Sequence, residues 1–170
     1  MTTPAVLRPY RSPGDAAPTL ATFRTAVRVT EAEVYTPEQI AAWLGPDGVD
    51  LTVWDARRAA AWTVVAEIGG ALVGFADLLP DGLVDMLFVH PAAGGRGVAR
   101  ALLSAVEQEA RARGLPGLRT LASRRARPVL ERLGWVVTVD RRDNTVRGVV
   151  VPNVEMRRDL TGADEGSSVI

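Results

Sequence analysis

Apolar residues recur with the three-to-four-residue spacing of amphipathic helices in several segments of this chain. In Ala16–Val29, the residues Leu20, Phe23 and Val27 share one helical face. A second helix is predicted to begin at 36–38, where threonine precedes proline and glutamate, and to end before 45–46. The same spacing predicts a long helix over 98–113 and a short one over 128–133.

Other segments are rich in β-branched and aromatic residues and predict strands. These strands cover 5–10, 62–68, 71–78, 83–89, 118–122, 135–139 and 149–156. Gly69-Gly70 and the turn at 80–82 should join three of them into an antiparallel meander. The order of elements predicts an α/β (α+β) fold whose mixed, mostly antiparallel central sheet is flanked by helices. We expect one domain over 1–170, with a core of about 5–160 and a disordered polar tail at 161–170.

The composition excludes several classes of protein. The 170 residues carry 20 basic and 20 acidic side chains, so no broad nucleic-acid or membrane surface is expected. Cysteine is absent and histidine occurs once, which argues against a metal centre and a thiol nucleophile. No apolar segment is long enough to span a bilayer, and a cytoplasmic location is therefore expected.

A glycine-rich segment lies between the predicted strand 83–89 and the long helix. Gly94, Gly95 and Gly97 would let the helix amides approach a bound phosphate, and Arg96 and Arg100 add positive charge. An ordinary flexible turn explains the glycines about equally well. The segment lacks the Gly-Lys-Ser/Thr ending of a nucleotide triphosphate P-loop and the third glycine of the dinucleotide fingerprint. A P-loop fold and a dinucleotide-binding fold are therefore not expected, and a diphosphate ligand would be bound by a protein with a different fold.

The residues around this segment resemble motif A of the GNAT N-acetyltransferases. That motif, Arg/Gln-x-x-Gly-x-Gly/Ala, matches Gly97 and Ala99, while Gly94 stands where arginine or glutamine is usual. Residues 122–135 are similar to the helix-then-strand segment of the family, and 153–156 resemble a closing strand of one bacterial subgroup. The resemblance extends from about 6 to 160, nearly the whole chain.

The resemblance implies a GNAT fold with acetyl-CoA as the co-substrate. The pantetheine arm would lie along the motif-A strand, and the pyrophosphate would rest on the amides at the start of the long helix. Ser123 occupies a position where relatives often have an asparagine that contacts the cofactor, although a helix cap explains it equally well. The implied cofactor-binding residues are Leu87, Phe88, Val89, Gly94, Gly95, Arg96, Gly97, Val98, Ala99, Arg100 and Ser123.

Acetylation of an amine requires a group that accepts a proton from the amine. Asp85 is the candidate, because it lies at the start of the strand that should hold the cofactor; an acid there could also simply hydrogen-bond a loop. Glu67 and Asp77 are weaker candidates on neighbouring strands. In GNAT folds the first helices cover the acceptor side, so Tyr35 and Trp43 could line the acceptor pocket, with core packing as the alternative for Trp43.

The resemblance implies an N-acetyltransferase that moves an acetyl group to a primary amine of a small molecule or protein by direct attack. Leu130 stands where relatives often have a tyrosine, and leucine cannot donate a proton to the leaving thiolate. The alternative is therefore a catalytically weak or inactive acyl-CoA-binding module of the same fold. The expected partner is an amine acceptor, small molecule or peptide, with assembly as a homodimer left open.

Overall fold

The computed structural model describes residues 4–162 and contains both helices and strands throughout that range. The strands are β1 (Val6–Pro9), β2 (Trp62–Ile68), β3 (Ala71–Leu78), β4 (Leu87–Val89), β5 (Gly117–Ser123), β6 (Val136–Arg141), β7 (Thr145–Val146), β8 (Val149–Val150) and β9 (Asn153–Asp159). The helices are α1 (Ala16–Val29), α2 (Pro37–Leu44), α3 (Leu51–Ala60), α4 (Val98–Ala112) and α5 (Arg127–Arg132), with short 3-10 turns at Glu31–Glu33 and Pro91–Ala93. The predicted fold class is confirmed. The predicted tail at 161–170 lies almost wholly outside the described residues.

Two antiparallel sheets form the centre of the structure, with strand orders β1-β2-β3-β4 and β5-β9-β6. They meet at one parallel bridge between Leu83 and Arg119. There the Val84 amide donates to the Arg119 carbonyl over 2.9 Å, and the Arg119 amide donates to the Gly82 carbonyl over 3.0 Å. Beyond this bridge β4 pairs with β3 and β5 pairs with β9, so the two sheets diverge and leave a wedge-shaped cleft.

Both faces of β2 and β3 are buried, because helices cover the first sheet on both sides. Val64 belongs to the core that includes Leu102 and Val106 of α4. The next residue, Val65, points to the opposite face and belongs to the core that includes Phe23 of α1. Strands with two buried faces explain why 62–68 and 71–78 read as almost continuous apolar runs. Within residues 4–162, no helix is long and apolar enough to cross a membrane.

Several predicted strands differ in extent from the observed ones. The strand predicted over 83–89 is regular only in β4, because a carboxylate oxygen of Asp77 accepts the Met86 amide over 2.8 Å. The strand predicted over 149–156 is divided at Pro152, which has no amide hydrogen; the residues before it form β8 and those after it form β9. The prediction for 135–139 is displaced by one residue at its start, since β6 covers Val136–Arg141.

The sequence-based prediction missed α3 and the β7–β8 hairpin. Asp50 caps α3 by accepting the Thr52 amide over 2.8 Å, which is an ordinary helix start. However, the buried residues of α3 are Trp54 and Arg58. A buried arginine on the inner face interrupts the apolar periodicity that reveals an amphipathic helix, so the tertiary environment and not the local pattern defines this element.

Arg8 ties β1 to the start of α1 and to β2 through two carboxylates. Its Nη1 lies 2.6 Å from Asp15 Oδ2, and its Nε lies 2.8 Å from Glu67 Oε1. The Asp15 side chain is almost completely buried, so its charge depends on this partner. The hydrogen bond from Arg8 is the largest cause that lowers the pKa of Asp15.

We expect Asp15→Asn to lower the free energy of unfolding at pH 7 by about 1.5–3 kcal/mol, the usual contribution of hydrogen bonds to a charged group. Because the pKa of Asp15 is lower in the folded state, its stabilisation is present above the unfolded value of about 3.9 and is lost as the pH falls through the folded value. Urea unfolding at pH 7 and pH 3 measures this. The exposed control Asp47→Asn should change stability little at either pH, and equal losses for both variants would contradict the assignment.

Candidate active site

The cleft exposes one backbone edge of β4. On its other edge, the Met86 carbonyl accepts the Asp77 amide over 3.0 Å, and the His90 amide donates to Val73 over 2.7 Å. Backbone groups in a strand alternate in direction, so the N–H and C=O groups of Leu87 and Val89 point into the cleft. An extended ligand arm can bind to such an edge as an added strand.

The glycine-rich segment follows β4 at one end of the cleft. Gly95 has φ of 72° and Gly97 has φ of 75°, both left-handed conformations that favour glycine. A Cβ atom at either position would meet no atom within 4 Å, so close packing does not explain these glycines. Gly94 differs, because its φ of −58° suits any residue. The segment therefore keeps an open, side-chain-free surface in front of α4.

The start of α4 presents backbone donors to the same space. The first intrahelical hydrogen bond runs from the Ala101 amide to the Gly97 carbonyl over 3.0 Å, so the amides of 98–100 have no intrahelical acceptor. Their dipoles and the exposed Arg100 favour an anion. A cavity of about 610 Å³ lies here, and its far wall on α5 contributes Arg132.

Two more cavities lie next to this one along β4. A narrow cavity of about 70 Å³ lies between β4 and β5 and is lined by Asp85, Leu87, Ser123 and Leu130 among others. A cavity of about 440 Å³ follows and shares Asp85 and Ser123 with the narrow one. An end lined by the amides of α4, a constriction and a wider chamber thus follow one another along β4, with Val89 lining the first and Phe88 lining the other two.

Asp85 lies at the junction of the narrow cavity and the wider chamber. Its side chain is 44% exposed, and its Oδ2 lies 3.8 Å from Nη2 of the buried Arg58. An accessible carboxylate that lines both spaces can contact a molecule in either of them. The role of Asp85 as a proton-accepting group stays a prediction.

The other two acidic candidates lie elsewhere. Asp77 is fully buried, and its Oδ2 lies 2.8 Å from Arg58 Nε as an ion pair rather than an aligned hydrogen bond. Burial raises the pKa of Asp77 to about 6, opposed by the charge of Arg58, so the carboxylate stays ionised at neutral pH. Glu67 is paired with Arg8. We interpret Asp77 and Glu67 as structural residues.

Aromatic side chains form much of the wider chamber. Trp43 is half-buried, lines both the chamber and the constriction, and meets Phe88 edge-on at a centroid distance of 6.4 Å. Phe88 in turn packs against Phe23 at 4.9 Å. The side chain of Phe88 therefore belongs to the chamber, whereas its neighbours Leu87 and Val89 pack on the α4 side.

Tyr35 also borders the chamber, but its hydroxyl is already engaged. It donates to the Pro152 carbonyl over 2.5 Å and accepts the Arg124 amide over 3.0 Å. The tyrosine is 5% exposed, and its ring meets Trp43 edge-on at 5.7 Å. Tyr35 therefore joins the loop after β5 to the loop before β9, and its ring forms part of the chamber wall.

Ser123 and Leu130 lie on the second wall of the narrow cavity. The Ser123 hydroxyl accepts the Ala126 amide over 2.9 Å and so closes the turn before α5; the flanking residue of that helix is Ala126, which has no side-chain cap. Ser123 also lines the constriction, so it can accept the Ala126 amide and still contact a ligand in the narrow cavity. Leu130 is 3% exposed and contributes only an apolar surface.

Sequence reasoning missed two charged residues at this site. Arg58 comes from the unpredicted helix α3; its guanidinium lies 4.6 Å from the Trp54 ring centroid and faces both Asp77 and Asp85. Glu31 comes from the 3-10 turn after α1 and lines the narrow cavity. An acidic residue in a turn usually lies in solvent, so no local signal marked Glu31 as buried.

Comparisons with known proteins agree with this geometry. A family model described as the acetyltransferase (GNAT) domain matches residues 31–159. The uncharacterized N-acetyltransferase YafP of Escherichia coli K12 is 36% identical over 152 residues, which cover 89% of this chain and 93% of that protein. A crystal structure of a GCN5-related N-acetyltransferase from Rhodopseudomonas palustris has a TM-score of 0.86 and 34% identity, over 94% of this chain and 98% of that one.

The fold recurs in more distant proteins. The PaiA N-acetyltransferase from Thermoplasma acidophilum, solved in complex with coenzyme A, superposes with a TM-score of 0.69 at 16% identity, over 91% of this chain and 98% of that one. The extent of the family match and the similarity to YafP show that this chain belongs to the GNAT acetyltransferase family. It is an acyltransferase by class, as its motifs indicated.

The two tyrosines of the chain offer a matched test of the Tyr35 assignment. We expect Tyr35→Phe to lower the free energy of unfolding by about 1–3 kcal/mol, because a backbone amide and a backbone carbonyl lose their partner inside the protein. Tyr10 is less buried and donates one hydrogen bond to Asp55, so Tyr10→Phe should cost less. Chemical denaturation of both variants measures the difference. A Tyr35→Phe variant as stable as the wild type would return Tyr35 to a role in acceptor binding alone.

Proposed function

We propose that this protein transfers the acetyl group of acetyl-CoA to a primary amine by direct attack of the amine on the thioester. One observation carries the proposal: three neighbouring cavities follow β4 from the amides at the start of α4 to Asp85 at the edge of the wider chamber. A ligand that fills the cleft needs an anionic end, a long extended arm and a reactive group. Acetyl-CoA has these parts in this order.

The residues of the cleft fit the parts of acetyl-CoA one by one. The pyrophosphate would accept hydrogen bonds from the amides of 98–100, with Gly95 and Gly97 leaving room for it and with Arg96 and Arg100 adding charge. The pantetheine amides would bond to the exposed backbone of Leu87 and Val89. The coenzyme A complex of the Thermoplasma PaiA enzyme supports this choice of ligand.

The thioester would then lie in the narrow cavity beside Asp85. An alkyl amine is mostly protonated at neutral pH, since its pKa is near the lysine value of about 10.4, and it must lose a proton to attack. The Asp85 carboxylate, directly or through one water molecule, accepts that proton. The Oδ2 atom of Asp85 lies 3.8 Å from Nη2 of the buried Arg58, so the proposed base has a cation beside it.

The wider chamber is the proposed acceptor site. Its aromatic walls, which include Trp43, Trp54 and Phe88, favour an amine that is carried on an apolar or aromatic body. A volume of about 440 Å³ suits a small molecule or the end of a peptide. Homodimer formation and a cytoplasmic location remain predictions.

The alternative is a module of the same fold that binds acyl-CoA without turnover. Its support is Leu130, which gives the constriction an apolar wall where a tyrosine would offer a proton. Both functions require acetyl-CoA to bind, and only the enzyme releases free CoA when an amine is added. Melting curves with acetyl-CoA and a turnover screen across amines therefore distinguish them.

For an acceptor found in that screen, we expect Asp85→Asn to lower kcat by about 100-fold, the usual contribution of a general base. The KM for acetyl-CoA should stay near the wild-type value, and the acid limb of the pH–rate profile should flatten. The exposed control Asp143→Asn should behave as the wild type does. Unchanged kinetics in Asp85→Asn would remove the carboxylate from the mechanism.

The phosphate site can be tested with two substitutions of equal size at Gly97. Asparagine and aspartate both tolerate left-handed conformations and both cap helices, so Gly97→Asn and Gly97→Asp should melt at similar temperatures without ligand. Because its carboxylate would repel the pyrophosphate, Gly97→Asp should bind acetyl-CoA about 10-fold or more weakly than Gly97→Asn does. Calorimetric titration at low and high salt measures both affinities. The difference in affinity between the two variants should be smaller at high salt, because salt screens the repulsion. Wild-type affinity in both variants would mean that the phosphates bind elsewhere.

A further inference from the structure

Glu31 is a buried carboxyl that the chemistry described so far does not use. The residue is 8% exposed, and among the described residues its Oε2 has no hydrogen-bond partner. It lies in the 3-10 turn that follows α1, and it lines the narrow cavity together with Asp85 and Leu130. A buried carboxyl oxygen without a partner costs free energy, so a functional reason for it should be sought.

The groups around Glu31 determine its proton affinity. Burial raises the pKa of Glu31, the charge of Glu33 on the same turn acts in the same direction, and the Ser123 hydroxyl and the Arg125 charge oppose them. Tyr35 is a further titratable neighbour, and Asp85 lines the same cavity. Arg125 is divided between two carboxylates, because its Nε lies 2.7 Å from Glu33 Oε2. Glu31 therefore keeps its proton to a higher pH than an exposed glutamate does.

The proposed reaction needs such a proton at this place. When the carbon–sulfur bond of acetyl-CoA breaks, the sulfur leaves as a thiolate, whose conjugate acid resembles a cysteine thiol with a pKa of about 8.5. Leu130, which lines the same cavity, has no proton to give. A protonated carboxyl can give one to a thiolate without an energetic penalty, because the thiol is the weaker acid of the two.

We propose that Glu31 is the catalytic general acid that protonates the leaving thiolate of coenzyme A. Asp85 first passes the proton that it took from the protonated amine to solvent. The neutral amine nitrogen then forms a bond to the acetyl carbon and gives a second proton to Asp85. The carbon–sulfur bond then breaks, its electron pair stays on sulfur, and the Glu31 proton moves to that sulfur to give free CoA. Asp85 finally returns its proton to solvent and Glu31 takes one up, so no other reactant is needed. This role rests on the function proposed above.

The placement of the other buried acids makes a purely structural role for Glu31 a poor explanation. Asp15 and Asp77 each have an arginine partner that offsets the cost of burial. Glu31 instead lines the constriction where the thioester must lie if its acetyl group is to reach Asp85. Unpaired titratable groups that line a cleft are typical of catalytic sites.

Kinetics test the proposal directly. We expect Glu31→Gln to lower kcat by about 100-fold while the KM for acetyl-CoA stays near the wild-type value. In the wild type, kcat should fall on the basic side as Glu31 loses its proton, and this limb should be absent from the variant. Glu38→Gln, the same change at an exposed glutamate of α2, should leave both kcat and the pH profile unchanged. A variant that keeps the basic limb, or that loses acetyl-CoA affinity instead of kcat, would overturn the proposal.

A binding measurement tests the contact with sulfur without turnover. Desulfo-CoA carries hydrogen in place of the thiol group. The wild type should bind CoA about 3- to 10-fold more tightly than desulfo-CoA, the contribution of one hydrogen bond, and Glu31→Leu should lose this preference. If the wild type binds neither compound, the proposed function itself is wrong. If it binds CoA but Glu31→Leu retains the full preference, acetyl-CoA remains the ligand and only the role of Glu31 is wrong.

Discussion

The divergence of the two sheets beyond the Leu83–Arg119 bridge is the constraint on which the rest of the site depends. Had β4 continued to pair with β5, its second backbone edge would be filled and the cleft would not exist. Because pairing stops there, the edge of β4 is open and α4 begins at one end of the resulting space. The proposed anion site, extended site and reaction site therefore all follow from one interruption of the ladder.

Charge pairing determines which acidic residues stay available beside this cleft. Arg58 lies between the Trp54 ring and Asp77. The negative charge of Asp77 is therefore balanced by an arginine within the core. The same arginine lies 3.8 Å from Asp85, whose side chain stays 44% exposed. One buried arginine is thus paired with Asp77 in the core, while Asp85 on its other side stays accessible from the cavity.

The cleft also contains features that work against stability. Gly95 and Gly97 lose more conformational entropy on folding than other residues do, and the partly unpaired carboxyl of Glu31 also costs free energy in the folded protein. Networks such as Arg8 with Asp15, and the double hydrogen bond of Tyr35, lie around the site and hold the elements that form it. The rigid surroundings allow the cleft itself to keep an unfavourable but reactive arrangement.

Local sequence determined most of the elements and the glycine-rich end of the cleft. Periodicity, capping residues and turn glycines act over a few neighbouring positions, so α1, β2 and β3 could be predicted to the residue, and the family resemblance indicated the fold. Asp85 could also be proposed, because it stands next to a recognisable motif. Only the tertiary structure revealed α3, the division of the strand at 83–89, and the buried positions of Arg58 and Glu31. These depend on contacts between residues far apart in the chain: burial of a charged side chain is decided by its distant partners, and no local pattern records it.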